Sequence, residues 1–535
     1  MKPKTIRWCW GSGMLLLCGA CGPNVAASTA SGGSGDGGTS SAPQGTTTGG
    51  MGSDTNSESS ESGGTGETGE EPELPPVVRA VYESPQGIEF RDVVAGVIGE
   101  PQVLIPGDWG MEPITGDELV GNRGSDFVIS NWREPDTESW TVQCPTKNTC
   151  NLSKAEDTWR FKESDHASGT HALYEFQLGS DGPTPPTVIY PFGQGETWGG
   201  FGPYSVVKEF DETGAGRFAR LSYEPDAEPE TFFLFEDEAS IGFRSIGDRD
   251  APLHVVYGTE TTPGGWNPQM WLVDVASERP SPQRLPLLPG AVGHASSIVA
   301  VHPGGDGLVV TQGNDEGEGD LVWIPLEGSK VGAPVRISTG PSQGLVRPPG
   351  GGEFPVFDAE GRWLAYVVWP DGGLPQGFVV SWPDGEPVAV SEESRGMFFA
   401  PDGSHVYFHS GPAGDRQLSR VALTDGVVGV EQTLSDSFAS GPTAKISSDG
   451  STLGMDSEYG DRVWLLDLTT TPPVARRADG CEGWEVSFGL SADGSVLVCS
   501  SEAEYSTDRE YVLLAVESGQ TVPIDARYGA ALLSP

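Results

Sequence analysis

Short apolar stretches alternate with glycine-containing polar turns along most of this 535-residue chain. The stretch FAPDGSHVYF, residues 399–408, shows the unit: an apolar pair, a Pro-Asp-Gly turn, and then alternating apolar and polar side chains. Alternation with a period of two is typical of a half-buried strand, and glycine after aspartate supplies the positive φ of a tight hairpin. Sustained helical periodicity is rare, so the pattern predicts an all-β protein.

This hairpin recurs at a regular interval. FDAEGRWLAYVVW, ISSDGSTLGMDS and LSADGSVLVCSS carry similar turns, and the turn glycines Gly361, Gly403, Gly450 and Gly494 are separated by 42, 47 and 44 residues. A further copy, VHPGGDGLVVTQG, places its turn glycine at Gly307. A second pair of strand-like runs follows each turn, as in LSRVALTDGVVGV. Four antiparallel strands in about 45 residues is the size of one β-propeller blade.

The turn pattern resembles the repeats of the TolB-like β-propellers, the WD40-like Pro-Asp repeat group. The resemblance is clear over about residues 295–530, and it implies a fold but names no reaction. Residues 77–290 contain less regular strand-like runs, which we interpret as degenerate blades, and 291–535 contain the clearer repeats. We therefore expect one β-propeller of four-stranded antiparallel blades over 77–535, with seven or eight blades favoured. Two smaller propellers that divide near residue 290 are the alternative.

The acidic residue of each turn is better explained by the turn than by catalysis. Asp402, Asp449 and Asp493 occupy the same position in successive units, each directly before a glycine. Aspartate tolerates turn geometry, and its carboxylate hydrogen-bonds the backbone two residues on. The pattern predicts that these aspartates and the glycines beside them are structural turn residues.

The first residues resemble a bacterial lipoprotein signal. In MKPKTIRWCWGSGMLLLCGACGP, basic residues precede an apolar run too short to span a bilayer, and small residues precede Cys21. The resemblance implies removal of residues 1–20, a lipid on Cys21, and an outer membrane lipoprotein facing the periplasm or cell surface; a secreted protein is the alternative. Residues 21–76 are rich in Gly, Ser, Thr and Glu, which predicts a disordered tether.

Four cysteines lie beyond the signal, in two pairs that are close in sequence. An even number of cysteines in an exported protein predicts two disulfides. Cys144 and Cys150 flank a short loop between strand-like runs, so a bridge there is expected to clip a hairpin. Cys481 and Cys499 form the second expected pair.

The net charge limits the classes of partner, and one acidic loop offers candidate metal ligands. The formal net charge of −45 repels nucleic acid and anionic membranes, so the lipid is the expected membrane contact. The loop GNDEGEGD is a candidate Ca²⁺ site, with a solvated acidic loop as the alternative. Its carboxylates belong to Asp315, Glu316, Glu318 and Asp320.

Two glycine-rich loops carry aromatic side chains that could stack on a sugar or hold a peptide. They are PFGQGETWGGFGPY and PGGWNPQMW, and packing between blades is the alternative role for these rings. The candidate ligand-binding residues are Trp198, Phe201, Tyr204 and Trp266.

The sequence favours a binding module over an enzyme. The match GPSQG to a nucleophile elbow lacks the following helix that this motif needs, and no catalytic residue is assigned. We expect a monomeric, non-enzymatic envelope propeller, without a cofactor, that binds an envelope protein or a surface glycan. The alternatives are a propeller hydrolase or lactonase with Ca²⁺ in a central channel, and an envelope assembly partner as the TolB resemblance suggests.

Overall fold

The structure, a computed structural model, describes residues 77–535 apart from short segments. The expected signal (1–20) and tether (21–76) lie outside the described residues. Strands and turns make up the described residues, and none of these residues is helical. They accordingly contain no helix long and apolar enough to cross a membrane. The undescribed positions after residue 76 are 116, 136, 138, 146–148, 156–157, 166–169, 180–181, 202–203, 211–214, 223–227, 236–240, 247–252, 263–264, 292, 314–318, 329, 338–355, 369–372, 395, 413–414, 435–439, 458–459, 503–508, 527–528 and 534–535.

The first twenty strands belong to five antiparallel blades. Blade 1 contains β1 (Val77–Ser84), β2 (Gly87–Val94), β3 (Val97–Ile98) and β4 (Gln102–Pro106), and blade 2 contains β5 (Gly110–Thr115), β6 (Glu118–Arg123), β7 (Asp126–Asn131) and β8 (Trp140–Gln143). Blade 3 contains β9 (Thr149–Ala155), β10 (Thr158–Asp165), β11 (Thr170–Gly179), β12 (Gly182–Pro183) and the first part of β13 (Thr187–Phe201), which pairs with β11 as far as Gln194. Blade 4 contains the rest of β13, β14 (Tyr204–Phe210), β15 (Gly216–Ser222) and β16 (Glu230–Phe235), and the shared strand β13 makes the two blades one continuous eight-stranded sheet. Blade 5 contains β17 (Ile241–Ile246), β18 (Leu253–Thr262), β19 (Gly265–Val273) and β20 (Gln283–Arg284).

The remaining strands build five further blades of the same kind. Blade 6 contains β21 (Gly293–Val301), β22 (Gly307–Gly313), β23 (Gly319–Glu327), β24 (Lys330–Val331) and β25 (Val335–Arg336), and blade 7 contains β26 (Val356–Phe357), β27 (Trp363–Val368), β28 (Gln376–Ser381) and β29 (Val388–Ser391). Blade 8 contains β30 (Met397–Phe399), β31 (His405–Ser410), β32 (Gln417–Thr424), β33 (Val427–Val428) and β34 (Gln432–Thr433). Blade 9 contains β35 (Ser440–Ile446), β36 (Thr452–Ser457), β37 (Arg462–Asp467) and β38 (Val474–Glu482), and blade 10 contains β39 (Trp484–Leu490), β40 (Val496–Glu502), β41 (Arg509–Ala515) and β42 (Thr521–Ile524).

The last strand, β43 (Ala530–Leu533), closes the ring. It pairs antiparallel with β1, so that Arg79 lies opposite Leu533 and Tyr82 opposite Ala530. Blade 1 is thus assembled from both ends of the described chain, and β1 has a partner on both sides. Closure of this kind protects strand edges that an open array of blades would expose.

Ten clusters of buried side chains fill the spaces between the ten blades, one for each pair of neighbours among the described residues. Met270 of blade 5 packs with Leu308 and Val322 of blade 6, so the ring continues across residue 290. Val78 of blade 1 packs with Val496 and Leu513 of blade 10, which completes the circle. Each blade therefore buries both faces of its sheet, as an interior layer of a stack does.

The expected all-β propeller of four-stranded antiparallel blades is confirmed, but the expected count of seven or eight blades is wrong. The described residues form ten blades in a single ring, and the alternative of two propellers divided near residue 290 is also wrong. The less regular region 77–290 supplies the strands of blades 2–5 and most of blade 1. The expected count followed the usual range of about four to eight blades in a propeller, whereas the described chain forms ten.

Both expected disulfides form, and each joins two neighbouring blades. Cys144 follows β8 of blade 2 and is bonded to Cys150 in β9 of blade 3. Because β8 and β9 belong to different sheets, this bridge does not clip a hairpin, contrary to the sequence expectation. Cys481 in blade 9 is bonded to Cys499 in blade 10, within the apolar cluster between them. Closing this 18-residue separation stabilises the fold by about 3 kcal/mol in the chain-entropy estimate.

The turn residues have the geometry that their sequence pattern suggests. The glycines Gly361, Gly403, Gly450 and Gly494 have φ values of 72°, 68°, 72° and 71°, and the amide of each donates to the carbonyl three residues earlier. In the upstream copy the residue with positive φ is Gly305, at 72°, and not the expected Gly307.

The turn aspartates hydrogen-bond the backbone two residues on. Oδ1 of Asp402 accepts the amide of Ser404 at 2.9 Å, Oδ1 of Asp449 that of Ser451 at 3.0 Å, and Oδ1 of Asp493 that of Ser495 at 3.1 Å. Each carboxylate therefore satisfies a donor of its own turn, which is the role expected for aspartate at this position.

Two of these glycines should differ in their tolerance of alanine. At Gly450 an added Cβ meets nothing closer than Cδ of Pro401 at 3.9 Å, so Gly450→Ala costs the left-handed backbone term of about 1–2 kcal/mol. At Gly403 the Cβ lies 2.6 Å from Oδ2 of Asp358, which is buried, so Gly403→Ala should cost clearly more. Denaturant unfolding of the two variants measures the difference, and equal losses would contradict this account.

Candidate functional site

The predicted acidic loop is described at one residue. Asp320 lies in β23, and its Oδ2 is 2.8 Å from Nη2 of Arg336 in the neighbouring strand β25. Asp315, Glu316 and Glu318 lie outside the described residues. The Asp320 carboxylate is thus already balanced by an arginine, which weakens it as a ligand for a cation. The match GPSQG also lies outside the described residues.

The predicted aromatic site is described at Tyr204, which has a packing role. The guanidinium carbon of Arg220 lies 4.7 Å from the centre of the Tyr204 ring, and Arg220 is buried. Arg220 donates to the carbonyls of Val275, Ser277 and Glu278 in blade 5. Tyr204 and Arg220 therefore help to hold blade 4 against blade 5. Trp198 and Phe201 lie in β13 and Trp266 in β19, but their side chains are not described.

One cluster of potential metal ligands occurs among the described side chains, at the bridge between blades 2 and 3. Cys144, Cys150 and Glu163 approach within 4.8 Å of one another. Both sulfurs are used by the disulfide, so Glu163 alone keeps an oxygen donor. Burial and a hydrogen bond to Glu163 raise the pKa of Tyr174 to about 12, so this carboxylate already has a phenolic partner. The cluster is part of the fold and lacks the ligand set of a zinc site.

Three buried titratable side chains lie in blades 6, 8 and 9. Burial lowers the pKa of His294 to about 4 and that of His409 to about 4, so both imidazoles are neutral at pH 7. Nε2 of His294 lies 3.4 Å from Nε2 of Gln312, whose Oε1 accepts the amide of Leu288. Burial raises the pKa of Asp456 to about 6, although the Thr443 amide donates to its Oδ1 at 2.9 Å.

Asp456 should make the protein less stable as the pH rises through 6. Its folded-state pKa of about 6 lies above the ordinary value of 3.8, so folding favours the protonated form and this stabilisation is lost between about pH 4 and pH 6. Asp456→Asn removes the charge and keeps an acceptor for the Thr443 amide. The variant should exceed the wild type by up to about 3 kcal/mol in unfolding free energy at pH 7, and by much less at pH 4.

Asp402→Asn provides the matched control for this pH dependence. Burial opposes the charge of Asp402, but hydrogen bonds from Ser404 outweigh it and lower the pKa of the carboxyl. Asp402 therefore contributes stability above its ordinary pKa and loses it in acid, so the two substitutions should have opposite pH trends. Urea unfolding at several pH values measures both, and a pH-independent effect of Asp456→Asn would refute the assignment.

A pocket of about 370 Å³ opens between blades 2 and 3. Its apolar side continues the cluster between these blades, since Ile129 belongs to that cluster and Leu178 packs against it. The indole of Trp140 forms a further wall, with Gly182 so close to its six-membered ring that an added Cβ would lie 3.0 Å from Cζ3. The residues that line the pocket are Glu118, Ile129, Ser130, Asn131, Thr137, Trp140 and Leu178.

Glu118, on the polar side of the pocket, forms an ion pair between the two blades. Nζ of Lys154 in β9 donates to Oε1 of Glu118 in β6 at 2.6 Å, and the two side chains are 18% and 23% exposed. Within the part of the chain that the structure describes, Oε2 of Glu118 has no hydrogen-bond partner. The pair neutralises its own charge and leaves one carboxylate oxygen as an acceptor.

Asn131 supplies a donor beside this acceptor. It lies directly opposite Glu118 in the register of β6 and β7, which places the two side chains on the same face of the sheet. Oδ1 of Asn131 accepts the amides of Arg133 at 2.9 Å and Glu134 at 3.3 Å. Its Nδ2 has no hydrogen-bond partner among the described residues. The pocket thus offers an adjacent donor and acceptor above an apolar floor.

Sequence patterns do not single out this pocket. The segment NWREPDTESW does have a local feature that could indicate a binding site: it begins with an asparagine at the end of a strand, and polar residues lie between its two tryptophans. Lys154 and Leu178 reach the same place only because blade 3 packs on blade 2, and no local pattern reports that contact.

No family model matches this sequence, and no curated protein matches it. Solved structures that resemble it include a eukaryotic initiation factor, with 10% identity and a TM-score of 0.47 over 85% of this chain and 98% of that chain. The tricorn protease has 12% identity and a TM-score of 0.32, over 85% of this chain and 47% of that one. TolB from Acinetobacter baumannii has 12% identity and a TM-score of 0.25, over 72% of this chain and 82% of that one. Likenesses at this level carry no argument about activity.

Proposed function

We propose that the protein is a non-enzymatic propeller, tethered to the cell envelope by a lipid, that binds a protein or carbohydrate partner. The observation that carries the proposal is the pocket between blades 2 and 3, whose Glu118 is paired with Lys154, set in a ring closed by β1 and β43. A closed ring whose blades are packed on both faces gives such a pocket a rigid frame, which lowers the entropic cost of binding. The proposal requires no cofactor.

The disulfides support export, and the N-terminal segment supports anchoring. Two disulfides between blades are consistent with folding in an oxidising compartment. The signal-like segment before Cys21 supports lipidation of that residue. In the producing cells Cys21→Ser should move the protein from the membrane fraction to the soluble fraction, and mass spectrometry of the mature N-terminus should find a lipid on the wild type. A wild type without lipid would remove the anchor from the proposal.

The charge of the chain restricts its partners. At a formal charge of −45 the protein should attract neutral or basic surfaces and repel nucleic acid and anionic lipid, so membrane contact runs through the lipid. Pairing of β43 with β1 also leaves blade 1 without an open strand edge at the closure, which favours a monomer.

Site-directed crosslinking in cells tests the binding role. A photo-crosslinking amino acid placed at Thr137, on the rim of the pocket, should yield a defined adduct, while one at Val430, which is 91% exposed on blade 8, should not. The purified full-length protein should not turn over ester, lactone, glycoside or peptide substrates. Turnover that a Ca²⁺ chelator abolishes would replace this proposal by the propeller hydrolase, and equal adducts at both positions would remove the pocket from it.

A further inference from the structure

We propose that the pocket between blades 2 and 3 binds a neutral pyranose ring of a glycan, an inference that rests on the proposed binding function and specifies its ligand. The pocket volume of about 370 Å³ falls within the range of small-molecule sites. Its wall chemistry is mixed: one indole, two aliphatic side chains, and a polar side built from Glu118 and Asn131.

The indole of Trp140 is placed to stack on the C–H face of a sugar. Trp140 lies opposite Ile129 in the register of β7 and β8, and Gly182 lies against its six-membered ring. Strand pairing and this contact fix the orientation of the ring before a ligand arrives. A partly exposed tryptophan that is held in this way offers a large apolar surface at low entropic cost.

The polar side matches a pair of adjacent hydroxyl groups. Each sugar hydroxyl both donates and accepts, so two neighbours require an acceptor next to a donor. Glu118 and Asn131 are direct cross-strand neighbours, with Cβ atoms expected about 5 Å apart. Oε2 of Glu118 can accept and Nδ2 of Asn131 can donate, since neither atom has a partner among the described residues. A hydrogen bond to a carboxylate is stronger than one to a neutral acceptor.

Charge selects a neutral sugar over an acidic one. Glu118 is the one charged side chain among the described residues that line the pocket, and Lys154 compensates it, so the described lining offers an ion no uncompensated charge. The whole chain carries −45, which repels a uronate or a sialylated glycan at low salt. Burying an unpaired carboxylate next to Glu118 adds a further penalty. The charges in the pocket and on the chain thus favour neutral sugars such as hexoses or N-acetylhexosamines.

Calorimetric titration of the full-length protein with defined glycans tests the inference. The probes are trisaccharides of glucose, galactose, mannose and N-acetylglucosamine, with a uronic acid trisaccharide for comparison. At least one neutral probe should bind with a dissociation constant of about 1 mM or tighter, and more tightly than the uronate. Trp140→Ala and Glu118→Gln should each weaken binding at least tenfold, while Trp140→Phe should retain part of it.

Trp109→Ala is the matched control. Trp109 packs at the edge of the interface between blades 1 and 2, and its Nε1 donates to the carbonyl of Pro106. Its loss should leave glycan binding unchanged, and the thermal unfolding of all variants shows whether they fold. Absence of binding by every neutral probe, or full binding by Trp140→Ala, overturns the inference.

The outcomes also separate this inference from the proposed function. A protein adduct at Thr137 without glycan binding rejects the sugar and leaves the binding role intact. A glycan that is bound in the pocket and then cleaved keeps the sugar site and rejects the non-enzymatic role.

Discussion

A chain that ends at residue 528, and so lacks β43, should lose cooperative unfolding and at least about 5 kcal/mol of stability. Leu533 belongs to the cluster between blades 1 and 2, and removal of one buried leucine side chain alone costs about 2–5 kcal/mol. Ala530 belongs to the cluster between blades 10 and 1, so the same strand seals both faces of blade 1. The deletion also exposes one edge of β1, which has four residue pairs with β43.

Chemical unfolding and size-exclusion chromatography measure this loss. The free edge of β1 should promote association between chains, because exposed strand edges pair with other strands. A chain that ends at Leu533 lacks only two terminal residues and serves as the control, since β43 is complete in it. A synthetic peptide of residues 529–535 should restore part of the stability by pairing with β1. An unchanged unfolding midpoint without β43 would show that the ring does not depend on this closure.

Replacement of Arg220 by methionine should cost about 3–5 kcal/mol. Arg220 is 7% exposed, and its Nη1 donates to the carbonyl of Val275 at 2.9 Å and to that of Ser277 at 2.5 Å. Nη2 donates to the backbone carbonyl of Glu278 at 2.9 Å, and Nε donates to Oε2 of the Glu230 carboxylate at 2.7 Å. The substitution leaves these backbone carbonyls and a carboxylate without their donor, and it removes the link between blades 4 and 5.

Arg217→Met is the control in the same strand. Arg217 is 39% exposed and pairs with Glu209 through Nε and Oε2 at 2.5 Å, so its loss should cost less than about 1 kcal/mol. Both arginines carry one charge and lie in β15, and they differ in burial and in the number of carbonyls they bind. Equal losses in urea unfolding would show that charge, and not the link between blades, sets the effect.

The hairpin turns could be predicted from the sequence because their causes are local. A glycine with φ near 70° follows an aspartate that binds the amide two residues on, as Gly403 and Asp402 show. Such a turn forms through contacts within about six residues, so each copy can be recognised from the local sequence. The upstream copy was placed at Gly307 and not at Gly305 because three glycines stand close together there.

The pocket could not be predicted because its parts come from two blades. Glu118 and Asn131 meet through strand pairing within blade 2, while Leu178 comes from blade 3, as does Lys154, which pairs with Glu118. The disulfide of Cys144 and Cys150 shows the same limit, since its cysteines were correctly paired but assigned to a single hairpin.

The sequence by itself determined that the chain is built of antiparallel strands and tight turns in propeller blades, because alternation and turn chemistry act between neighbours along the chain. The tertiary structure decided that the described blades number ten, that β1 and β43 close them into one ring, and that a polar pocket opens between blades 2 and 3. A strand with the same alternation of apolar and polar residues can form part of a propeller with any number of blades. The number of blades depends on how side chains from adjacent sheets fill the space between them, and those side chains, such as Tyr82 and Leu513, are far apart in sequence.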